Sequence, residues 1–383
     1  MDKNSIIGFV LIAAVLIGFS IYSQPSEQEQ RAAFVKDSTE QANRAKAEKA
    51  VKAAEYKQRQ ALKQKVAEDT TALFHKALVG KAKNVVLSNN KVALTLSTKG
   101  ATVVKAYLKN QKGSKQFVGH NMADRSGKHD DENGVTLFEG QRQSLNYTLV
   151  AKELNISTAD LYFTPSAVTD STVTLTADAG QGKTLVFNYR LGKNYMLHLD
   201  IKAMGMSGLF DPNASRINVD WHETVRQQER GFNFENRYAR LDWKNTDGGT
   251  DYLSEASSKQ ETVDERMDWV AFKNQFFSTV IISKDGFEKG ADLESTVYNK
   301  ESQDNWKVRY LKDFKANMKT AFDPSGKKAT ELEFYYGPND FYTLKNVEKE
   351  SSFDKDLEME RLVYLGWPLF RIINRWFTMP VFT

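Results

Sequence analysis

In run after run between residue 84 and about residue 338, apolar side chains fall on every second position, and that period leaves few folds open. NVVLSNN, KVALTLSTKG and ATVVKAYLKN begin the pattern. STVTLTAD, KTLVFNYRLG, NYMLHLDIKA, RINVDWHETV, FFSTVIISKD, ADLESTVYNK, NWKVRYLKD and ATELEFYYG continue it. Strict alternation marks strands with one face buried and the other wet. Turn residues punctuate the runs: GQG before Lys183, GKN before Tyr195, NTDGG before Thr250 and DPSG before Lys327. Many strands at short spacing, with no long helical stretch between them, predict a mainly β fold, a large antiparallel β-sandwich. About 255 residues in one such unit call for two extended packed sheets, more than an immunoglobulin-like domain needs.

The flanks have other periods. SIIGFVLIAAVLIGFSIYS, residues 5–23, carries no charge over nineteen residues, enough to cross a hydrocarbon core as a helix. Its eleven Ile, Leu, Val and Phe residues together favour insertion by roughly 3 to 6 kcal/mol. A cleavable signal peptide would show a shorter apolar run, a basic start and a small-x-small site beyond it. MDKN offers only Lys3 against Asp2, so the run reads as an uncleaved anchor with its N-terminus inside, although Arg31 and Lys36 blunt the charge signal. From Glu27 the composition turns to Ala, Lys, Glu and Gln, strong helix formers without a sustained heptad. This is a spacer, either a semi-rigid helical arm or a solvated disordered linker. After Gly337-Pro338, NDFYTLKNVEKESSFDKDLEMERLVYLG returns to helical period and predicts one or two helices.

No catalytic constellation appears. AGQGKT, residues 179–184, resembles the end of a P-loop, but the required upstream glycine is Ala177 and the run joins two strands, so a hairpin is expected. HDDENG, residues 129–134, lacks the alternate-position ligands of an EF-hand and reads as a solvated loop. NTDGGTD, residues 245–251, is a turn. The five histidines show no metal spacing. A sugar-converting site could use His198 or His222 as acid with Glu223 as base, yet strand-surface roles suit them better. The chain has no cysteine, which excludes disulfides and thiolate sites. Its 53 basic and 49 acidic side chains, net +4, give no basic excess that would suggest nucleic acid.

The end of the sequence, GWPLFRIINRWFTMPVFT, predicts a short amphipathic helix. Pro368 suits its first turn, and Thr378 with Pro380 marks its end. Leu369, Phe370, Ile373, Trp376 and Phe377 share one broad face, with Trp367 at the start and Arg371 and Arg375 opposite. About ten residues cannot span a bilayer. Aromatics at headgroup depth and arginines toward lipid phosphate suit a helix lying in the membrane interface better than one packed on the β domain.

Anchor, polar arm, β domain, short helices and interfacial helix together resemble the N-terminal part of the YidC/Oxa/Alb family of membrane protein insertases, in its Gram-negative form. The likeness rests on MDKNSIIGFVLIAAVLIGFSIYSQPS, on MDWVAFKNQFFSTVII and FYYGPNDFYTLK, and most specifically on GWPLFRIINRWF. It implies an inner-membrane protein, not an enzyme, with its bulk periplasmic. Its partners would be the lipid bilayer, nascent membrane proteins and the Sec translocon with its SecDF subunits. The domain would be a β-supersandwich related in shape to sugar-binding folds. The family needs no nucleotide, metal or other cofactor. It works through a hydrophilic groove in the bilayer that bears an arginine. That groove is built by five later spans, and no residue among these 383 matches its arginine. These residues alone are therefore expected not to rescue insertase-depleted cells. The expected divisions are an anchor at 1–26, a linker at 27–82, a β domain at 83–338, a helical linker at 339–366 and an incomplete interfacial helix at 367–383. The competing readings are a membrane-tethered sugar-binding or sugar-converting protein and an envelope adaptor.

Overall fold

The alternating runs become antiparallel ladders. The computed structural model describes residues 73–109, 111, 134–151, 155–210, 215–229, 231–300 and 309–363. Strands β1 (Asn84–Ser88), β2 (Val92–Ser97), β3 (Thr102–Lys109) and β4 (Gly134–Glu139) form a four-stranded meander. The larger sheet is curled and has two arms. One arm runs in the order β6 (Asn155–Ser157), β5 (Gln143–Val150), β11 (Arg216–Arg226), β18 (Tyr310–Ala321), β17 (Ala291–Val297), β14 (Lys259–Val263). The other begins with β13 (Thr250–Tyr252), β12 (Arg240–Asn245), β15 (Met267–Lys273) and β16 (Phe277–Phe287). It continues with β19 (Thr330–Pro338), β10 (Met196–Met204), β9 (Lys183–Leu191), β8 (Thr172–Gly180) and β7 (Thr164–Ser166). The arms join at a single pair, Phe287 of β16 with Thr320 of β18.

The core lies where side chains of the two arms meet. Trp221 of β11 stacks on Phe272 of β15 with ring centroids 3.6 Å apart, and Phe314 of β18 tilts against the same ring at 5.4 Å. Tyr147 of β5 meets Phe187 of β9 edge-on at 5.4 Å. Aromatic pairs of this kind add about 0.5–1.5 kcal/mol each beyond the area they bury.

β8 and β9 show the expected one-face burial along nearly their whole length. The AGQGKT run is the hairpin between them, with Gly180, Gln181 and Gly182 all at positive φ. DPSG is a tight turn in which Asp323 Oδ1 accepts the Ser325 amide at 2.9 Å. Gly326 is obligatory there, because φ is +72° and a Cβ would sit 2.3 Å from the Ala203 carbonyl oxygen. β4, β12 and β15 do not alternate and were not expected as strands. β15 is buried at all seven positions, because both of its faces are covered.

Beyond β19 the helical period is only partly realised. One α-helix forms, Phe341–Glu350, with Asp340 Oδ1 accepting the Thr343 amide at 2.7 Å as its N-cap. Phe341, Leu344 and Val347 make its buried stripe. Residues 351–358 form neither helix nor strand, with Asp354 and Glu358 at positive φ, and the second expected helix is a short 3-10 turn, Met359–Leu362. Phe353, Leu357, Met359 and Leu362 are buried, so this segment is seated on the sheet rather than crossing solvent. Among the described residues no helix is long and apolar enough to cross a membrane. The apolar run 5–23, almost all of the polar arm, most of the HDDENG loop and the amphipathic end lie outside the described residues.

Candidate functional site

β15 has two dissimilar faces, and the second is covered by residues 351–363. Successive strand residues point to opposite sides, so Trp269 and Lys273 share the face that Phe272 does not use. On that face they hold residues 351–363, a strap laid across the strand. The Trp269 indole N–H donates to the Leu357 carbonyl at 2.7 Å, and the Lys273 ammonium donates to the Leu362 carbonyl at 2.6 Å. Ser352 donates through both its amide and its hydroxyl to Glu333 of β19, at 2.9 and 2.8 Å. Lys355 pairs with Asp268 at 2.6 Å and donates to the Ser283 carbonyl at 3.2 Å. The Glu358 amide donates to Glu348 of the preceding helix at 2.7 Å. The strap lacks a backbone ladder of its own, so side chains of the sheet and helix satisfy its polar groups.

A cleft of about 660 Å³ opens between this strap and the β12–β13 turn. Thr246, Gly248 and Gly249 form its turn side, and the strap supplies Lys355, Asp356, Glu358 and Arg361. Its charges engage one another: Lys244 lies 3.8 Å from Glu358, Arg361 pairs with Glu358 at 2.5 Å, and Thr246 donates to Asp268 at 3.1 Å. The NTDGG stretch, which reads as nothing more than a turn, forms one wall of this cleft.

The histidine candidates are not brought together. His198 of β10 faces its cross-strand partner Glu333 of β19, with Nδ1 2.8 Å from Oε1. Burial works to raise the Glu333 pKa, but hydrogen bonds from His198, Ser351 and Ser352 outweigh it and hold the carboxyl below its usual range. His222 of β11, in the other arm, pairs with Asp313 at 2.6 Å, and Thr224 donates to the same oxygen at 2.8 Å. Burial opposes ionisation of Asp313 too, and the His222 contact prevails and lowers its pKa. Glu223 follows His222 on the strand and so points to the opposite, buried face. It is 3% exposed and pushed up to about 8 by burial, against a hydrogen bond with Thr279. A base that faces the core cannot serve an acid that faces away from it. Among the described residues no group of three or more metal-ligating side chains is arranged to hold an ion.

The interface residues expected from sequence, Trp367, Leu369, Phe370, Arg371, Ile373, Arg375, Trp376 and Phe377, lie outside the described residues. Sequence reasoning missed Trp269, Lys273, Asp268 and Glu333. A signal for Lys273 was present, because a lysine closing the apolar run WVAF, residues 269–272, needs a buried acceptor.

The model of the family described as "YidC periplasmic domain" matches residues 84–383. Over its whole length the chain is similar to proteins named membrane protein insertase YidC: 41% identical in Phocaeicola vulgatus, 39% in Bacteroides fragilis and 30% in Porphyromonas gingivalis. It spans 58% of the length of each of these curated relatives. Among solved structures, a galactose mutarotase-like protein from Lactobacillus casei aligns over 66% of this chain and all of its own. The identity is 11% and the TM-score 0.36, too loose to carry an argument. The match over residues 84–383, which takes in every strand described above, is what decides the matter: the chain belongs to the YidC periplasmic domain family.

Proposed function

We propose that these residues are the N-terminal anchor and periplasmic module of a membrane protein insertase of the bacterial inner membrane. In this reading residues 1–26 anchor the chain, 27–82 space the domain from the bilayer and 83–338 form a periplasmic β-sandwich. Residues 339–366 return the chain to the membrane surface, where 367–383 lie in the interface. The role is not enzymatic. It is to hold the domain in register with the elements that follow and to offer a surface to nascent membrane proteins, with the Sec translocon and SecDF as further partners. The family match over residues 84–383 carries the reading. The meeting of Trp221 with Phe272, and of Tyr147 with Phe187, supports two packed layers. The strap supports a fixed exit from the domain toward the amphipathic end.

Conditional depletion of the gene that encodes this chain tests the proposal. Pulse-labelled membrane proteins with short periplasmic loops should then stay accessible to protease only from the cytoplasmic side. Unchanged insertion across a panel of such substrates would sink it.

A further inference from the structure

We propose that Lys273 is a positioning residue for insertion: by gripping the Leu362 carbonyl it makes residues 351–363 a fixed extension of the β domain and sets where the following chain leaves it. The inference rests on the insertase reading above and adds to it a named residue and a bond.

Four observations carry it. The strap crosses a strand that is already buried on its other side, so its seat is part of the core. Its two deepest polar contacts come from side chains four apart on β15 and reach carbonyls five apart on the strap, Leu357 and Leu362. Two grips on one segment fix its direction as well as its position. Lys273 is the later of the two and touches the strap's last turn, Met359–Leu362. Finally, the residue is a costly choice for stability alone. A buried ammonium against a neutral carbonyl loses its hydration, and an apolar side chain of similar length would fill the space at lower cost. Burial lowers the Lys273 pKa to about 8, with Asp242 and Glu255 acting to raise it and Arg240 to lower it. The group therefore remains mostly charged at neutral pH and keeps its grip.

The test uses the intact protein, with Lys273→Met, Lys273→Arg and Trp269→Phe. Three quantities are read for each: the urea midpoint, hydrogen exchange in peptides covering 351–363, and the insertion rate of a reporter in cells depleted of the parental gene. In Lys273→Met the strap amides should exchange at least tenfold faster, the urea midpoint should stay near that of the parent, and insertion should fall severalfold. Lys273→Arg should recover at least half of the insertion rate, since it restores a cation that can reach the carbonyl. Trp269→Phe keeps the ring and removes the other donor. It should loosen the strap in the same way, and it keeps the proposal testable if Lys273→Met does not fold. Faster strap exchange with unchanged insertion overturns the positioning role while the insertase reading stands. Unchanged strap exchange in both variants overturns the clamp itself. A parental protein whose depletion leaves insertion intact overturns the functional reading and the positioning role together.

Discussion

Glu223 is the side chain whose behaviour depends most on where the fold puts it, and Glu223→Gln tests that placement. Its carboxyl has an ordinary value of 4.5 and is pushed up to about 8 by burial. Between those values the folded state keeps a proton that the unfolded chain has lost, so stability falls as pH rises through this window. Linkage then gives a penalty that grows from about 1 kcal/mol at pH 5 to about 3 kcal/mol at pH 7, a change of roughly 2 kcal/mol. That is a large part of the 5–15 kcal/mol by which a domain is usually stable. Glutamine has the same shape, accepts the Thr279 hydrogen bond and never ionises. Urea unfolding in detergent, followed by tryptophan fluorescence, should therefore show Glu223→Gln near the parent at pH 5. At pH 7 it should have gained about 2 kcal/mol relative to the parent. Glu235, also pushed up to about 8 by burial against backbone amides of Glu229 and Gln228, acts in both proteins and cancels. The buried Lys273 and Lys312, pushed down to about 8 by burial, exert their effect mainly above this window. A difference between the two proteins that stays constant within about 0.5 kcal/mol from pH 5 to 7 would refute the reasoning, because Glu223 would then ionise in the folded state as a solvated carboxyl does.

Three further outcomes are expected. Trp221→Ala removes the ring stacked on Phe272 and should cost about 3–5 kcal/mol of unfolding free energy; a loss below 1 kcal/mol would mean that the arms do not pack through this pair. Gly326→Ala meets both the left-handed backbone and the Ala203 carbonyl and should destabilise by more than about 1 kcal/mol, whereas Gly290→Ala, at φ +81° with open space around it, should cost less; equal urea midpoints for the two would argue against the close approach. Asp340→Ala deletes the N-cap of helix Phe341–Glu350, with an expected loss of about 1 kcal/mol and faster amide exchange at Thr343.

Strands such as β8 and β9 were legible because one face is wet, so polar residues alternate with apolar ones. β15 was not legible as a strand, since Trp221 covers one side by packing on Phe272 and the strap covers the other. Period two reports a single covered face and vanishes when both are covered. The segment 351–363 carried helix-forming residues, yet residues 351–358 form no helix. Its carbonyls are taken by Trp269 and Lys273, partners 88 and 89 residues away, and tertiary bonds of this kind override local propensity. The pairing of His222 with Glu223 was likewise decided by geometry, the two being adjacent in sequence but on opposite faces.

The sequence by itself therefore determined the mainly β character, the turns and the family likeness, because each depends on residues that are near neighbours along the chain. Only the tertiary structure decided that Glu223 is buried and its pKa raised, that His198 belongs with Glu333, and that Lys273 clasps the strap. Those outcomes depend on desolvation and on partners supplied by distant strands. No local window of sequence contains either.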